Sequence, residues 1–234
     1  MPSKNEVKIY RENTFYHLYN RGVEKRIIFI DQQDYSVFLS YLKAYLLPKD
    51  EESLQKKLAD KKTNYKEKDT IIKLLRLNNF SETLELLAYY LMPNHFHFLV
   101  YQKTADAIDK FMNSLITRYV MYFNRKYKRV GPLFQGIYKA VSVETNEQLI
   151  HLSRYIHLQS LALQGQPLQG NQPSSYPNYL NHNSQEWVKP EKVLTHFKSE
   201  GRKLISVHSI NSYKSFVESK NIGAENILRN LTLD

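Results

Sequence analysis

Strand-like and helix-like segments follow one another in the order β-α-β-β-α-β-α over roughly the first 163 residues. That order predicts an α+β fold, a ferredoxin-like split β-α-β with an antiparallel sheet and one appended helix. The short turn Met92-Pro93-Asn94 between two apolar runs predicts a tight antiparallel hairpin. A composition change near residue 164 predicts a linker over 164–185 and a small helical C-terminal tail over 186–234.

Thr14 to Asn20 alternates loosely between apolar and polar residues and reads as the first strand, ending at Arg21-Gly22. Asp31 or Asp34 can cap a helix reaching Leu47, with Val37, Phe38, Tyr41, Leu42 and Tyr45 at helical spacing. The stretch from Lys49 to Lys73 balances eight lysines against six acids, so about 49–82 reads as an exposed helical insertion. The hairpin strands follow at about 84–91 and 95–102. Ala105 to Lys126 keeps an i, i+3, i+4 apolar rhythm through Ile108, Phe111, Met112, Leu115, Ile116 and Tyr119, and Gly131-Pro132 interrupts the chain after it. A strand at about 137–144 comes next, and then a helix capped by Asn146 with Leu149, Leu152 and Ile156 on its apolar side. Beyond the linker, Trp187, Val193, Phe197, Tyr213 and Phe216 suggest short helices packed on the main domain, with Trp187 as a core anchor.

The chain has 234 residues and no cysteine, which excludes a disulfide framework, a zinc ribbon or a thiol nucleophile. It has no apolar run of membrane-spanning length, so a soluble, cytoplasmic protein is expected. The net charge of +10 favours an anionic partner. Between Arg118 and Lys139 stand Arg118, Arg125, Lys126, Lys128, Arg129 and Lys139 with no acid among them, interleaved with Tyr119, Tyr122, Phe123, Tyr127, Phe134 and Tyr138. Cations grip phosphates and aromatic faces stack unpaired bases, which suits single-stranded nucleic acid. The same pattern also arises when the aromatics are core and the cations form a solvated helix face. Arg21 joins the candidates for backbone contact.

Within the second hairpin strand, His95 and His97 are two residues apart and share one face, while Phe96 and Phe98 point into the core. Such a pair is either a polar surface feature or half of a divalent-metal site. On the last helix Tyr155 and Gln159 are i, i+4 and also share a face. If that helix crosses the sheet, two imidazoles, an amide oxygen and a phenol converge, a set suited to phosphoryl transfer with tyrosine as nucleophile. His151 lies one turn before Tyr155 and is a candidate phosphate contact. His157 reads as pointing elsewhere, and His17 on the first strand could flank the site but reads rather as packed or solvent-facing.

The motifs Tyr19-Asn20-Arg21-Gly22, Met92-Pro93-Asn94-His95-Phe96-His97, Gly131-Pro132-Leu133-Phe134-Gln135 and Arg154-Tyr155-Ile156-His157-Leu158 together resemble the Y1 transposases of the HUH superfamily. They are similar to the IS200-like and REP-associated branches, over about residues 14–160. The resemblance implies a domain over 1–163, and a Mg²⁺- or Mn²⁺-dependent single-strand DNA endonuclease and strand transferase. Tyr155 would form a 5′-phosphotyrosine link, with His95, His97 and Gln159 as metal ligands on the sheet and the catalytic helix. The partner would be single-stranded or hairpin DNA, the protein would be nucleoid-associated, and it would act as a monomer or a homodimer. Many REP-associated relatives carry Asn-Pro where this chain has Gln159-Ser160. A domesticated, non-catalytic hairpin-binding protein and a water-using metal hydrolase are the competing readings.

Overall fold

The computed structural model describes residues 10–162, 172–197, 212–219 and 225–228. Strand β1 (Thr14–Arg21) is followed by helix α1 (Gln32–Leu46). Both candidate caps of α1 are used: Asp31 Oδ1 accepts the Asp34 N–H at 3.0 Å, and Asp34 Oδ2 accepts the Asp31 N–H at 3.3 Å. This reciprocal box satisfies two of the otherwise unpaired N–H groups at the helix start. The charged insertion forms two mainly exposed helices packed on each other, α2 (Glu51–Ala59) and α3 (Tyr65–Arg76), with only Ile71 buried.

Strands β2 (Leu84–Met92) and β3 (His95–Gln102) form the expected hairpin, and α4 (Ala107–Lys126) follows. Strand β4 spans Lys139–Val143. It begins two residues later than the pattern indicated, because Gly136 turns the chain at φ 71° and leaves Ile137 exposed. The last long helix, α5, spans Asn146–Ala162. Its cap is Thr145 rather than Asn146: Thr145 Oγ1 accepts the Gln148 N–H at 3.1 Å, and Gln148 Oε1 accepts the Glu144 N–H at 2.8 Å.

The sheet is antiparallel with order β2-β3-β1-β4, the arrangement the ferredoxin-like reading requires. Both faces are covered, so β3 is apolar on one side and carries its histidines on the other. On the first face Tyr16, Leu18, Leu86, Tyr89, Leu91, Phe96, Phe98 and Val100 pack under α1 and α4, through Phe38, Leu42, Phe111, Leu115 and Tyr119. On the second face Leu87, Ala88, Tyr90, Leu99 and Val143 pack under Leu149, Leu152 and Ile156 of α5. A bulge between Leu86 and Ala88 shifts the β2 register, so that Leu86 and Tyr89 reach the same face.

The C-terminal part adds short helices α6 (Tyr176–Tyr179), α7 (Glu191–Leu194), α8 (Tyr213–Glu218) and α9 (Glu225–Leu228). Residues 172–185, expected as linker, lie instead against the outer edge of β2. Leu91 N–H donates to Pro173 O at 3.0 Å, Ser175 N–H to Tyr89 O at 3.0 Å, and Lys189 N–H to Leu86 O at 2.8 Å. This covers an edge that would otherwise expose unpaired backbone groups. Trp187 is buried and lies 5.2 Å from the Tyr89 ring, an anchor on the main domain's sheet. Residues 164–171 of the expected linker lie outside the described residues.

Gly22 closes the end of β1 by donating its N–H to Asn94 O at 2.8 Å. A Cβ there would sit 2.2 Å from Arg26 O, a backbone atom that cannot give way cheaply. Gly22→Ala is expected to destabilise the protein by about 1–3 kcal/mol, read as a lower thermal unfolding midpoint. An unchanged midpoint would mean that the 22–26 turn is free to shift.

Candidate functional site

Helix α5 packs across β2, β3 and β4 on the histidine face. His97 is fully buried beneath it, and the Tyr155 ring meets the His97 ring edge-on, with centroids 5.8 Å apart and planes at 90°. His95 opens β3 half-buried, its ring 5.0 Å from that of His97. The histidine pair and Tyr155 therefore meet between the sheet and the helix above it.

Each histidine is held by a specific partner. His95 Nδ1 bonds Asn94 Oδ1 at 2.6 Å. An amide oxygen only accepts, so Nδ1 carries the proton and Nε2 keeps its lone pair. His97 Nδ1 bonds His17 Nε2 at 2.9 Å. Burial first, and then the neighbouring His17 and His95, hold the His97 pKa well below the ordinary imidazole value, so its ring is neutral. Neutral imidazole is the form that ligates metal.

Seven buried side-chain polar atoms have no hydrogen-bond partner among the described residues, and two of them, His97 Nε2 and Gln159 Oε1, belong to the candidate ligands. Leaving such an atom unpaired costs about 1–3 kcal/mol, and native structures do so rarely. Both atoms are lone-pair donors, and they belong to residues singled out by the histidine and tyrosine-helix spacings. Among the described residues no three or more His, Asp or Glu side chains are grouped to hold an ion. His95, His97 and Gln159 offer two imidazoles and an amide, residue types whose donor chemistry suits a divalent cation.

Two further side chains stand beside the histidine pair. His17, expected to be packed or solvent-facing with flanking the site as the alternative, is buried and bonded directly to His97. Tyr19 lies opposite His97 in the sheet register, its ring 5.9 Å from His97 and 4.9 Å from His17. Burial raises its phenol pKa. The alternation Phe15, His17, Tyr19 carried the signal, once β1 is known to lie beside β3. His151, a candidate phosphate contact, is instead buried with its ring 5.4 Å from that of Phe216. His157 points away from the site into a network with Tyr213 and Ser175.

The basic stretch divides. Lys126 is ion-paired with Asp31 at 2.7 Å and Asp34 at 2.8 Å, at the capping box of α1. Arg118 lies 4.0 Å over the Tyr41 ring in the helical layer, on the far side of the sheet from His97. Neither placement suits a DNA contact beside the histidines, because one charge is already neutralised and the other is stacked away from the site. The interleaved aromatics are also structural: Tyr119, Phe123, Phe134 and Tyr138 are core, while Tyr122 and Tyr127 donate to Asp34. Arg125, Lys128 and Lys139 remain exposed, and Arg129 bonds Asn124 at 3.3 Å. Arg21 pairs with His95 in the register and donates from Nε to Gln135 Oε1 at 2.6 Å. The 128–138 loop returns to this end of the sheet, where Gln135 N–H donates to Arg21 O at 2.8 Å.

The protein family described as IS200-like transposases matches residues 53–159, from within α2 to Gln159. Among solved structures, a REP-associated tyrosine transposase bound to a REP hairpin aligns with a TM-score of 0.40 at 11% identity, covering 80% of this chain and 90% of that one. No curated protein matches the sequence. Over residues 53–159 the chain's resemblance to the IS200-like Y1 transposases is thus borne out.

Proposed function

We propose that this protein is a metal-dependent single-stranded DNA endonuclease and strand transferase that uses Tyr155 as its nucleophile. The observation that carries the reading is the pair of orphaned buried donors, His97 Nε2 and Gln159 Oε1, in the same layer as Tyr155. His95, His97 and Gln159 would hold a Mg²⁺ or Mn²⁺ ion. When bound, the ion polarises the scissile phosphate and offsets its developing charge.

The Tyr155 oxygen attacks phosphorus, forming the phosphotyrosine bond, and the bond to the 3′-oxygen breaks. The phenol gives up a proton and the departing 3′-oxygen gains one. The products are a 5′-phosphotyrosine and a free 3′-hydroxyl, and attack by a 3′-hydroxyl on the phosphotyrosine reverses the step and joins strands. Asn94 and the sheet hold His95 in the protonation state that leaves Nε2 available. Arg21, Arg125, Lys128, Arg129 and Lys139 would position the backbone around the end of the sheet. DNA hairpins would be the favoured substrate.

The protein would act on DNA as a monomer or a homodimer. No helix among the described residues is long and apolar enough to cross a membrane, in keeping with work on DNA in the cytoplasm. The test is incubation with a labelled single-stranded oligonucleotide carrying the hairpin repeats that flank the gene. A covalent protein–DNA adduct is expected with Mn²⁺ and none with a chelator. Tight, salt-sensitive binding without an adduct under any metal would replace this reading with a non-catalytic hairpin binder.

A further inference from the structure

His17 belongs to no motif that led to the site, yet it makes the closest side-chain contact to its most buried donor. It sits on the central strand β1, fully buried, opposite Leu99 and diagonal to His97. The two imidazoles meet Nε2 to Nδ1 at 2.9 Å, with ring centroids 5.1 Å apart and planes only 18° apart. The rings therefore lie nearly end to end, as an in-plane N–H···N bond requires, rather than face to face. The Tyr19 ring packs 4.9 Å from His17 and confines it.

This contact settles two things about His97 that backbone placement leaves open. It fixes the rotation of the ring about its last side-chain torsion. It also occupies Nδ1, so that Nε2, the atom with no hydrogen-bond partner among the described residues, is the one left for a ligand. With Nδ1–H donating to His17 Nε2, the His97 Nε2 lone pair is available. Outer partners of this kind set the tautomer and orientation of metal-bound histidine, and removing one lowers metal affinity about 10–100-fold.

We propose that His17 is the positioning residue of the metal site: it holds His97 by Nδ1 and presents His97 Nε2 to the divalent cation without binding the cation itself. This inference rests on the metal-site reading of His95, His97 and Gln159. A purely structural histidine would fill space beneath α5, and its loss would change stability but not the cation affinity of the folded protein.

The experiment uses the full chain and Mn²⁺ alone, without DNA. Affinity is measured by calorimetric titration for the wild type, His17→Gln and His17→Phe, with the folded fraction fixed by circular dichroism. Gln retains an acceptor for the His97 N–H and is expected to bind within about threefold of wild type. Phe fills the space without an acceptor and is expected to bind about 10–100-fold more weakly. Pulsed electron paramagnetic resonance on wild-type protein with bound Mn²⁺ should show two coordinated imidazoles, a readout that needs no variant to fold. Three imidazoles would make His17 a ligand and overturn the positioning role. Equal affinity for folded His17→Phe and wild type would overturn it as well, leaving the metal site intact. A wild type that binds no Mn²⁺ would overturn the metal-site reading itself, and this inference with it.

Discussion

Tyr155→Phe is expected to abolish the covalent adduct and lower strand cleavage by on the order of 10³-fold or more, as loss of an enzyme's nucleophile does. The substitution keeps the ring that meets His97 edge-on at 5.8 Å and removes only the hydroxyl of a half-buried side chain, so the fold is expected to survive. The necessary control is Tyr19→Phe. The Tyr19 ring lies 5.9 Å from the same imidazole, so proximity does not distinguish the two phenols. Chemistry does: burial raises the Tyr19 pKa and disfavours its phenolate, the attacking form. Tyr155 also shares a helix face with Gln159, whose Oε1 is buried without a hydrogen-bond partner among the described residues. The adduct should therefore persist in Tyr19→Phe, read as a shifted band on a denaturing gel. The opposite pattern would move the nucleophile to Tyr19. Cleavage without an adduct in Tyr155→Phe would point to water as the nucleophile.

The parts of the fold that were legible in sequence are those written in local periodicity. Alternation separated Phe96 and Phe98 from His95 and His97, and the structure puts those phenylalanines under α1 and α4 and His97 under α5. The i, i+4 spacing of Tyr155 and Gln159 needed only the short β4–α5 connection to lie above them. The pairing of residues 172–185 with β2 was not legible because composition describes solvation and not pairing. A stretch rich in Gln, Pro and Ser suits a linker, and it equally suits a segment whose backbone covers β2 while its side chains stay polar. The bonds from Leu91 to Pro173 and from Ser175 to Tyr89 join residues more than eighty positions apart, a separation that no local signal crosses.

Charge was legible as a sum and not as a map. Lys126 contributes to the basic stretch in sequence, but Asp31 and Asp34, ninety-odd residues earlier, neutralise it at the start of α1. Arg118 counts as a free cation until α4 packs against α1 and brings Tyr41 beneath it. His17 shows the converse. Alone on its strand it has no motif, and it becomes interesting only when the order β2-β3-β1-β4 sets β1 against β3. What the sequence withheld was long-range adjacency, which decides both which cations are spent and which histidines are partnered.

Acidification is expected to weaken the attachment of the C-terminal segment to α5 through His157. This side chain is fully buried, with Nδ1 bonded to the Tyr213 hydroxyl at 2.7 Å and Nε2 to Ser175 Oγ at 2.7 Å. It thus ties α5 to α8 on one side and to the β2-edge segment on the other. Burial pushes its pKa down from 6.5 to about 3. Above the unfolded value of 6.5 both states are neutral, and the group adds no pH dependence. As the pH falls below 6.5 the unfolded chain takes up a proton that the folded protein refuses until about pH 3, so the unfolded state binds more protons and stability falls. The loss approaches about 1.4 kcal/mol per pH unit for this one group. Urea unfolding between about pH 7.5 and 4.5 should show that slope, added to the contributions of His97, His151 and His196, whose pKa values burial also lowers. His157→Gln keeps polar atoms for both partners but cannot titrate. It is expected to cost about 1–3 kcal/mol at neutral pH, as imperfect replacement of a buried hydrogen-bonded group does, and to reduce the acid slope by one proton. A slope unchanged by the substitution would show that His157 takes up its proton in the folded protein as readily as in the unfolded chain, and that the seam between α5 and the tail opens in acid without unfolding.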